Sequence, residues 1–260
     1  MNILICGYGN IGRHVEKEFQ NSKISITIYD KYNRDYDHLC TNCFYDYAFV
    51  CVPTDNDEYG NCKTTEVEDV INKVNKITDT IVIKSAVPIG FCESMHKSNI
   101  VYTPEYWGTT QHSDKDPNFL VLGYADKYYA DKVVQLYSKI KDGNFRFIFT
   151  DYKTAELAKY MENSFIATKV TFCNEFYRIA KLFDIDYNEL RECFVADDRV
   201  SPSHTYVYED APYYDSHCLN KDIPALISQC SKKKSDSTPF MDSVRVINTM
   251  RKNEFLQNGN

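Results

Sequence analysis

The chain has 260 residues, 43% of them hydrophobic and 14% aromatic, with only nine Gly and eight Pro; this composition belongs to globular chains and excludes fibrous and disordered classes. A formal net charge of −7 opposes nucleic-acid binding, and the densest basic run, Lys232-Lys233-Lys234, sits among Ser231, Ser235 and Ser237 as a predicted solvated loop. No N-terminal apolar stretch reaches the ~18 residues of a membrane span and no signal-peptide pattern precedes the first glycine, so a soluble cytoplasmic protein is expected.

Its ten cysteines are scattered, which predicts reduced thiols. Cys40 and Cys43 form a CxxC with no second pair or nearby His, so no metal site is expected.

In chain order, Asn2 to Cys6 predicts a strand, Gly7-Tyr8-Gly9-Asn10-Ile11-Gly12 a glycine turn, Arg13 to Phe19 a helix, and Ile24 to Tyr29 a second strand closing on Asp30. This is the dinucleotide-binding arrangement. Gly7 makes the tight turn, Gly9 lets backbone approach a pyrophosphate, and Gly12 packs helix on strand, while the N-terminal N–H groups around Asn10 and Ile11 face the phosphates. Asp30 can accept from a ribose 2′-hydroxyl and would repel a 2′-phosphate, which favours NAD over NADP; Lys31 and Arg34 beside it weaken that preference.

A third strand over Tyr47 to Val52 closes on Pro53-Thr54, followed by a helix over Thr65 to Ile77 and a strand over Thr80 to Lys84 that ends in Ser85. Further strands are predicted at Ile100 to Tyr102 and Phe119 to Gly123. The alternation predicts an α/β fold with a Rossmann-type parallel sheet covered on both faces.

From Asp151 to Phe183 the character changes: Ala158, Met161, Phe165, Cys173, Phe176, Ala180 and Phe183 recur at spacings of threes and fours without Gly or Pro, which predicts one long helix. Such a helix overshoots a single domain and carries a second one or a dimer interface. Helices resume at Tyr187 to Phe194, Pro224 to Cys230 and Met241 to Phe255. The expected organisation is a Rossmann-type domain over residues 1–150, then a long central helix with a small all-α substrate and dimerisation domain over 151–260.

From Val50 onward the chain resembles the UDP-glucose/GDP-mannose dehydrogenase family. The motifs that carry the likeness are CVPT at Cys51 to Thr54, KSAVPIG at Lys84 to Gly90, TPEYW at Thr103 to Trp107, AELAKYMENSFIATKVTFCNE at Ala155 to Glu175, DDR at Asp197 to Arg199, and HCLNKDIPALI at His217 to Ile227.

The resemblance implies NAD as cofactor, a sugar-nucleotide substrate, and a four-electron oxidation of a C6 hydroxyl to a carboxylate. By it, Cys218 is the nucleophile that holds the aldehyde as a thiohemiacetal and then a thioester. Lys159 and Asn163 hold substrate and stabilise an oxyanion, Asp222 activates water, and Glu105 is a candidate base.

Val52, Pro53, Thr54, Ser85, Lys31 and Lys221 match cofactor-contacting positions, while Glu105, Tyr106, Trp107 and Arg199 match substrate-contacting ones, Arg199 reaching the substrate of the neighbouring subunit in a homodimer. Cys218 is placed just before a predicted helix start, marked by Asp222 near the cap and Pro224 in the first turn, with Lys221 close by; the helix start and the lysine both favour a thiolate.

The pattern breaks in three places. The family's glycine-rich approach to the nucleophile is here Tyr214-Asp215-Ser216-His217, bulkier and acidic, which predicts obstruction of a sugar nucleotide. Ala86 replaces a Thr, and no second nucleotide-binding domain is expected after Phe255. Two other readings stay open: a single-step β-hydroxyacid-type dehydrogenase, which needs a Lys and an Asn four apart but no thiol, and a degenerate NAD-binding module without catalysis.

Overall fold

The computed structural model describes residues 1–108, 116–234 and 238–257. In chain order its first elements are β1 (Asn2–Cys6), α1 (Asn10–Phe19), β2 (Ser25–Tyr29), β3 (Tyr45–Val50), α2 (Thr65–Val74), β4 (Thr78–Ile83), the short α3 (Phe91–Ser94), β5 (Ile100–Tyr102), β6 (Phe119–Tyr124), α4 (Lys127–Tyr137) and β7 (Arg146–Thr150). The strands form one seven-stranded sheet in the order β2-β1-β3-β4-β5-β6-β7. The fold is Rossmann-type, with the order turning back at β1 and β3, where such sheets open a crevice at their carboxyl ends.

β1, β3 and β4 are buried along most of their length because both faces are covered. On one face Leu4, Val50 and Ile81 pack with Val67, Val70, Ile71 and Val74 of α2. On the other, Ile5, Phe49 and Val82 pack with Val15 and Phe19 of α1 and Val133 and Leu136 of α4.

The sheet is not wholly parallel, as expected from the alternation: β5 and β6 pair antiparallel, Val101 opposite Tyr124. A parallel neighbour needs a full crossover connection, and none of the described elements lies between these two strands. α4 and β7, which the strand-and-helix alternation did not predict, complete this end of the sheet.

Four helices follow: α5 (Tyr152–Leu182, 31 residues), α6 (Tyr187–Val195), α7 (His217–Lys233) and α8 (Pro239–Gln257). The chain divides into two compact units within α5. The first comprises Met1–Asp57, Cys62–Trp107 and Asp116–Lys159; the second holds Glu58–Asn61 and the chain from Tyr160. Among the described residues, no helix is long and apolar enough to cross a membrane.

Three local expectations are corrected. Lys232 and Lys233 close α7 instead of lying in a loop, while the neighbouring Ser235 and Ser237 lie outside the described residues. Cys40 and Cys43 are joined as a disulfide; their Cα atoms are 5.6 Å apart, within bridging range, so the reduced-thiol expectation fails for this pair. The predicted stripe on α5 is only partly buried: Cys173 and Ala180 are buried, as are Tyr160, Asn163, Ser164 and Ala167 outside it, whereas Met161, Phe165 and Phe176 of the stripe are exposed, as is Phe183 just past the helix.

Candidate active site

The first unit builds a dinucleotide cradle from the glycine turn. Gly7 has φ +91°, and a side chain there would meet the Cys51 carbonyl at 2.8 Å; one on Gly12 would sit 2.0 Å from the Gly7 carbonyl oxygen. A side chain on Gly9, by contrast, would meet nothing within 4 Å, so open space faces the N-terminus of α1. Gly9 caps that helix without any side-chain acceptor, and no acid lies in its first turn, which leaves N–H donors and the positive end of the helix dipole directed at an anion.

At the end of β2, Asp30 Oδ2 accepts from Tyr8 N–H at 2.7 Å and Oδ1 from Tyr32 N–H at 2.9 Å, which fixes the carboxylate at the ribose end of the cradle. Lys31 is turned aside into an ion pair with Glu66 at 2.5 Å. Across the crevice, Val52 packs against the core and Pro53 is exposed. Thr54 donates to the Ala86 carbonyl at 2.7 Å, and Ser85 donates to the Val52 carbonyl at 2.6 Å, so two hydroxyls tie the β3 and β4 exits together. The Ala86 position therefore contributes through its backbone.

Beyond β5 the chain turns through Glu105, whose Oε1 accepts from the N–H groups of Tyr106 at 2.9 Å and Trp107 at 2.8 Å and whose Oε2 lies 3.2 Å from Lys84 Nζ. Burial opposes charge on both partners, but their attraction, with the Trp107 N–H added, prevails: Glu105 is held below the usual carboxylate range and Lys84 above the usual lysine range. A carboxylate so engaged is less basic than a free one, which favours holding the loop over the base role expected for it. The His14 ring stacks on Trp107 at 4.4 Å, and Lys159 Nζ stands 4.8 Å over the Tyr106 ring.

The pair sets a pH dependence. Glu105 has a lowered folded pKa, so its contribution is complete above the unfolded carboxylate value and is lost as pH falls through the folded one. Lys84, raised, contributes until pH climbs through its folded value in the alkaline range. Denaturant titrations from neutral to acid pH are expected to show stability falling below about pH 4.5, with a shallower fall in Glu105→Gln.

In the second unit, α7 begins at His217, not at Pro224, because the Ser216 hydroxyl accepts from Leu219 N–H and caps it. Cys218 thus lies in the first turn, with its side chain exposed, and Asp222 follows one turn later on the same side instead of near the cap. Asp222 is only 2% exposed. Its Oδ2 accepts from Asn163 Nδ2 at 2.5 Å, and its Oδ1 is ion-paired with Lys221.

Before Cys218, Tyr214 is buried with Ala167, Leu219, Ile223 and Val244, and Asp215 Oδ1 is ion-paired with Lys252 at 2.6 Å and accepts from Asn220 Nδ2 at 2.7 Å. Arg199 is exposed and grips Asp197 through two nitrogens.

The predicted residues therefore fall in two groups. Gly7, Gly9, Asn10, Ile11, Gly12, Asp30, Lys31, Val52, Pro53, Thr54, Ser85, Glu105, Tyr106, Trp107 and Lys159 belong to the first unit; Asn163, Arg199, Cys218, Lys221 and Asp222 belong to the second. Sequence reasoning missed Lys84, whose signal is a cation closing an apolar strand, and His14. It also missed Arg191, 3% exposed, which donates to the Thr205 hydroxyl at 2.9 Å and anchors the segment after Arg199.

Residues 34–141 match the NAD binding domain of the UDP-glucose/GDP-mannose dehydrogenase family, and residues 153–250 match its central domain. The chain belongs to this family. NAD is the cofactor of the domain matched, and the open Gly9 cradle, the acid-free helix start and Asp30 fit it.

A UDP-glucose 6-dehydrogenase of Rickettsia prowazekii is 28% identical over 220 residues, 80% of this chain and 50% of that protein. One of Campylobacter jejuni is 30% identical over 194 residues, 70% and 48% respectively. The chain thus spans about half the length of these curated relatives. Among solved structures, a UDP-glucose dehydrogenase from Pyrobaculum islandicum shares the fold with a TM-score of 0.78 at 18% identity, covering 96% of this chain and 68% of that one.

Proposed function

We propose that the chain oxidises the C6 hydroxyl of a sugar nucleotide to a carboxylate, as in UDP-glucose to UDP-glucuronate, in two successive hydride transfers. The observation that carries this reading is the buried Asn163–Asp222–Lys221 cluster one helical turn from the exposed Cys218. Each substrate consumes two NAD and one water and yields two NADH, the acid and protons. NAD, when bound, supplies the hydride acceptor.

The chain's own residues do the rest. Lys159 and Asn163 donate to the substrate oxygen as it loses its proton, and Asp222 takes that proton through a water. The Cys218 sulfur adds to the aldehyde carbonyl; loss of the second hydride leaves a thioester, and water held by Asp222 cleaves it to release acid and thiol.

The homodimer belongs to the same reading. Met161, Phe165, Phe172 and Phe176 form an exposed apolar row along α5, larger in character than scattered surface residues, and a second copy would cover it. Phe172→Glu is expected to shift sedimentation from dimer to monomer; unchanged dimers would place the interface elsewhere. The reading also puts the protein in the cytoplasm with its substrates.

Mixing the chain with NAD and a panel of UDP- and GDP-sugars, followed near ~340 nm where reduced nicotinamide absorbs, is expected to give two NADH per sugar. A second reading, a single-step dehydrogenase, is favoured by the Lys159 and Asn163 spacing on α5, which serves a two-electron oxidation without a thiol. It predicts one NADH per substrate and indifference to Cys218→Ser.

A further inference from the structure

We propose that Glu66 is a specificity-determining residue that sets the choice of NAD over NADP, an inference that rests on dinucleotide binding at the glycine cradle. In a Rossmann site the ribose 2′-oxygen lies at the acid closing the second strand, so a 2′-phosphate would meet Asp30 and the residues just after it. Lys31, next in the chain, is the cation best placed to receive such a phosphate.

The structure commits that cation elsewhere. Lys31 Nζ is 2.5 Å from Glu66 Oε2 and 5.0 Å over the Tyr32 ring, and the Tyr32 hydroxyl donates to Glu66 Oε1 at 3.2 Å. Glu66 itself lies in the first turn of α2, where the helix dipole favours a carboxylate. Arg13, a second nearby cation, is also engaged: its Nε donates to the Tyr8 carbonyl at 3.3 Å and its guanidinium lies 5.1 Å over the Tyr8 ring.

Glu66 therefore acts twice. It withholds Lys31 from a phosphate, and it adds a second carboxylate to the one already at Asp30. A neutral ribose hydroxyl is little affected by either effect; a phosphate dianion loses an attraction through the first and meets a repulsion through the second. Lys31 and Arg34 both weaken the discrimination expected of Asp30 alone, and Glu66 removes the contribution of Lys31.

The test is calorimetric binding of NAD and of NADP to the whole chain and to Glu66→Gln, Lys31→Gln and the double variant at low ionic strength. Wild type is expected to bind NAD more tightly. Glu66→Gln is expected to tighten NADP by about fivefold with NAD changed by less than about twofold, a gain of the size exposed charge pairs deliver. That gain should be clearly smaller in the double variant, where only the relief of carboxylate repulsion remains, and should shrink with added salt. Glu66→Ala, which drops the side chain altogether, should reproduce it if the amide of Gln perturbs α2.

An unchanged NADP-to-NAD ratio in both Glu66 variants, or a gain undiminished by loss of Lys31, overturns the proposal while leaving NAD binding intact. Wild-type protein that binds neither nucleotide overturns the cofactor reading itself.

Discussion

Cys218→Ser is expected to end acid formation, with turnover down by at least about 10³-fold, while folding and NAD binding stay as they were. The side chain is exposed in the first turn of α7, so the exchange of sulfur for oxygen should move stability by no more than about 0.5 kcal/mol. A serine hydroxyl ionises far less readily than a thiol, so it adds poorly to an aldehyde and forms no thioester. Stopped-flow reading of NADH with chromatography of the sugar product distinguishes the outcomes: acid formed at the wild-type rate by the serine variant would remove the covalent route.

Gly12→Ala is expected to cost more than about 3 kcal/mol and to abolish NAD binding, because overpacking here has nowhere to go. The added methyl would stand 2.0 Å from the Gly7 carbonyl oxygen, and Gly7 is itself fixed at φ +91° against the Cys51 backbone. No flexible side chain can yield. Gly9→Ala makes the instructive contrast: its methyl meets nothing within 4 Å, so the fold should melt at the wild-type temperature, yet NAD should bind at least about tenfold more weakly because the methyl occupies the path of the pyrophosphate. Thermal melts and calorimetry on the two variants check both statements; equal melting temperatures for the pair would refute the packing argument.

The β1–turn–α1–β2 unit was legible because each of its parts is encoded locally: an apolar run, three spaced glycines, an acid at the next strand end. α4 and β7 were not. The sequence Lys127 to Tyr137 mixes tyrosines with charges and shows a blurred period, while β7 leaves Ile148 and Phe149 exposed at a sheet edge, without the buried run that marked the inner strands. The start of α7 was misplaced because Pro224 reads as a first-turn marker; the true start is set by a serine cap seven residues earlier than the expected one, and Pro224 lies inside the helix.

Burial on α5 misled in the opposite way. Periodicity identified the helix correctly but only part of its inward face: Cys173 and Ala180 of the stripe are buried, Phe165 and Phe176 are not, and Tyr160 and Ala167 are buried outside it. At the candidate site, residues stood out where a motif framed them, as with Cys218 and the glycines. Lys84 and Glu66 act through partners distant in the chain, Glu105 and Lys31, and only folding reveals the pairing.

The amide of Asn248 on α8 holds the chain just ahead of Cys218 from both directions, accepting from Tyr214 N–H at 2.8 Å and donating to the Tyr214 carbonyl at 2.9 Å. With that amide gone, two buried main-chain groups would be left without partners, at about 1–3 kcal/mol each. A polypeptide severed ahead of Asn248 would still contain every residue assigned a chemical task, yet the segment that sets where α7 begins would drift. The last helix therefore serves as the fastening that keeps the sulfur at its post.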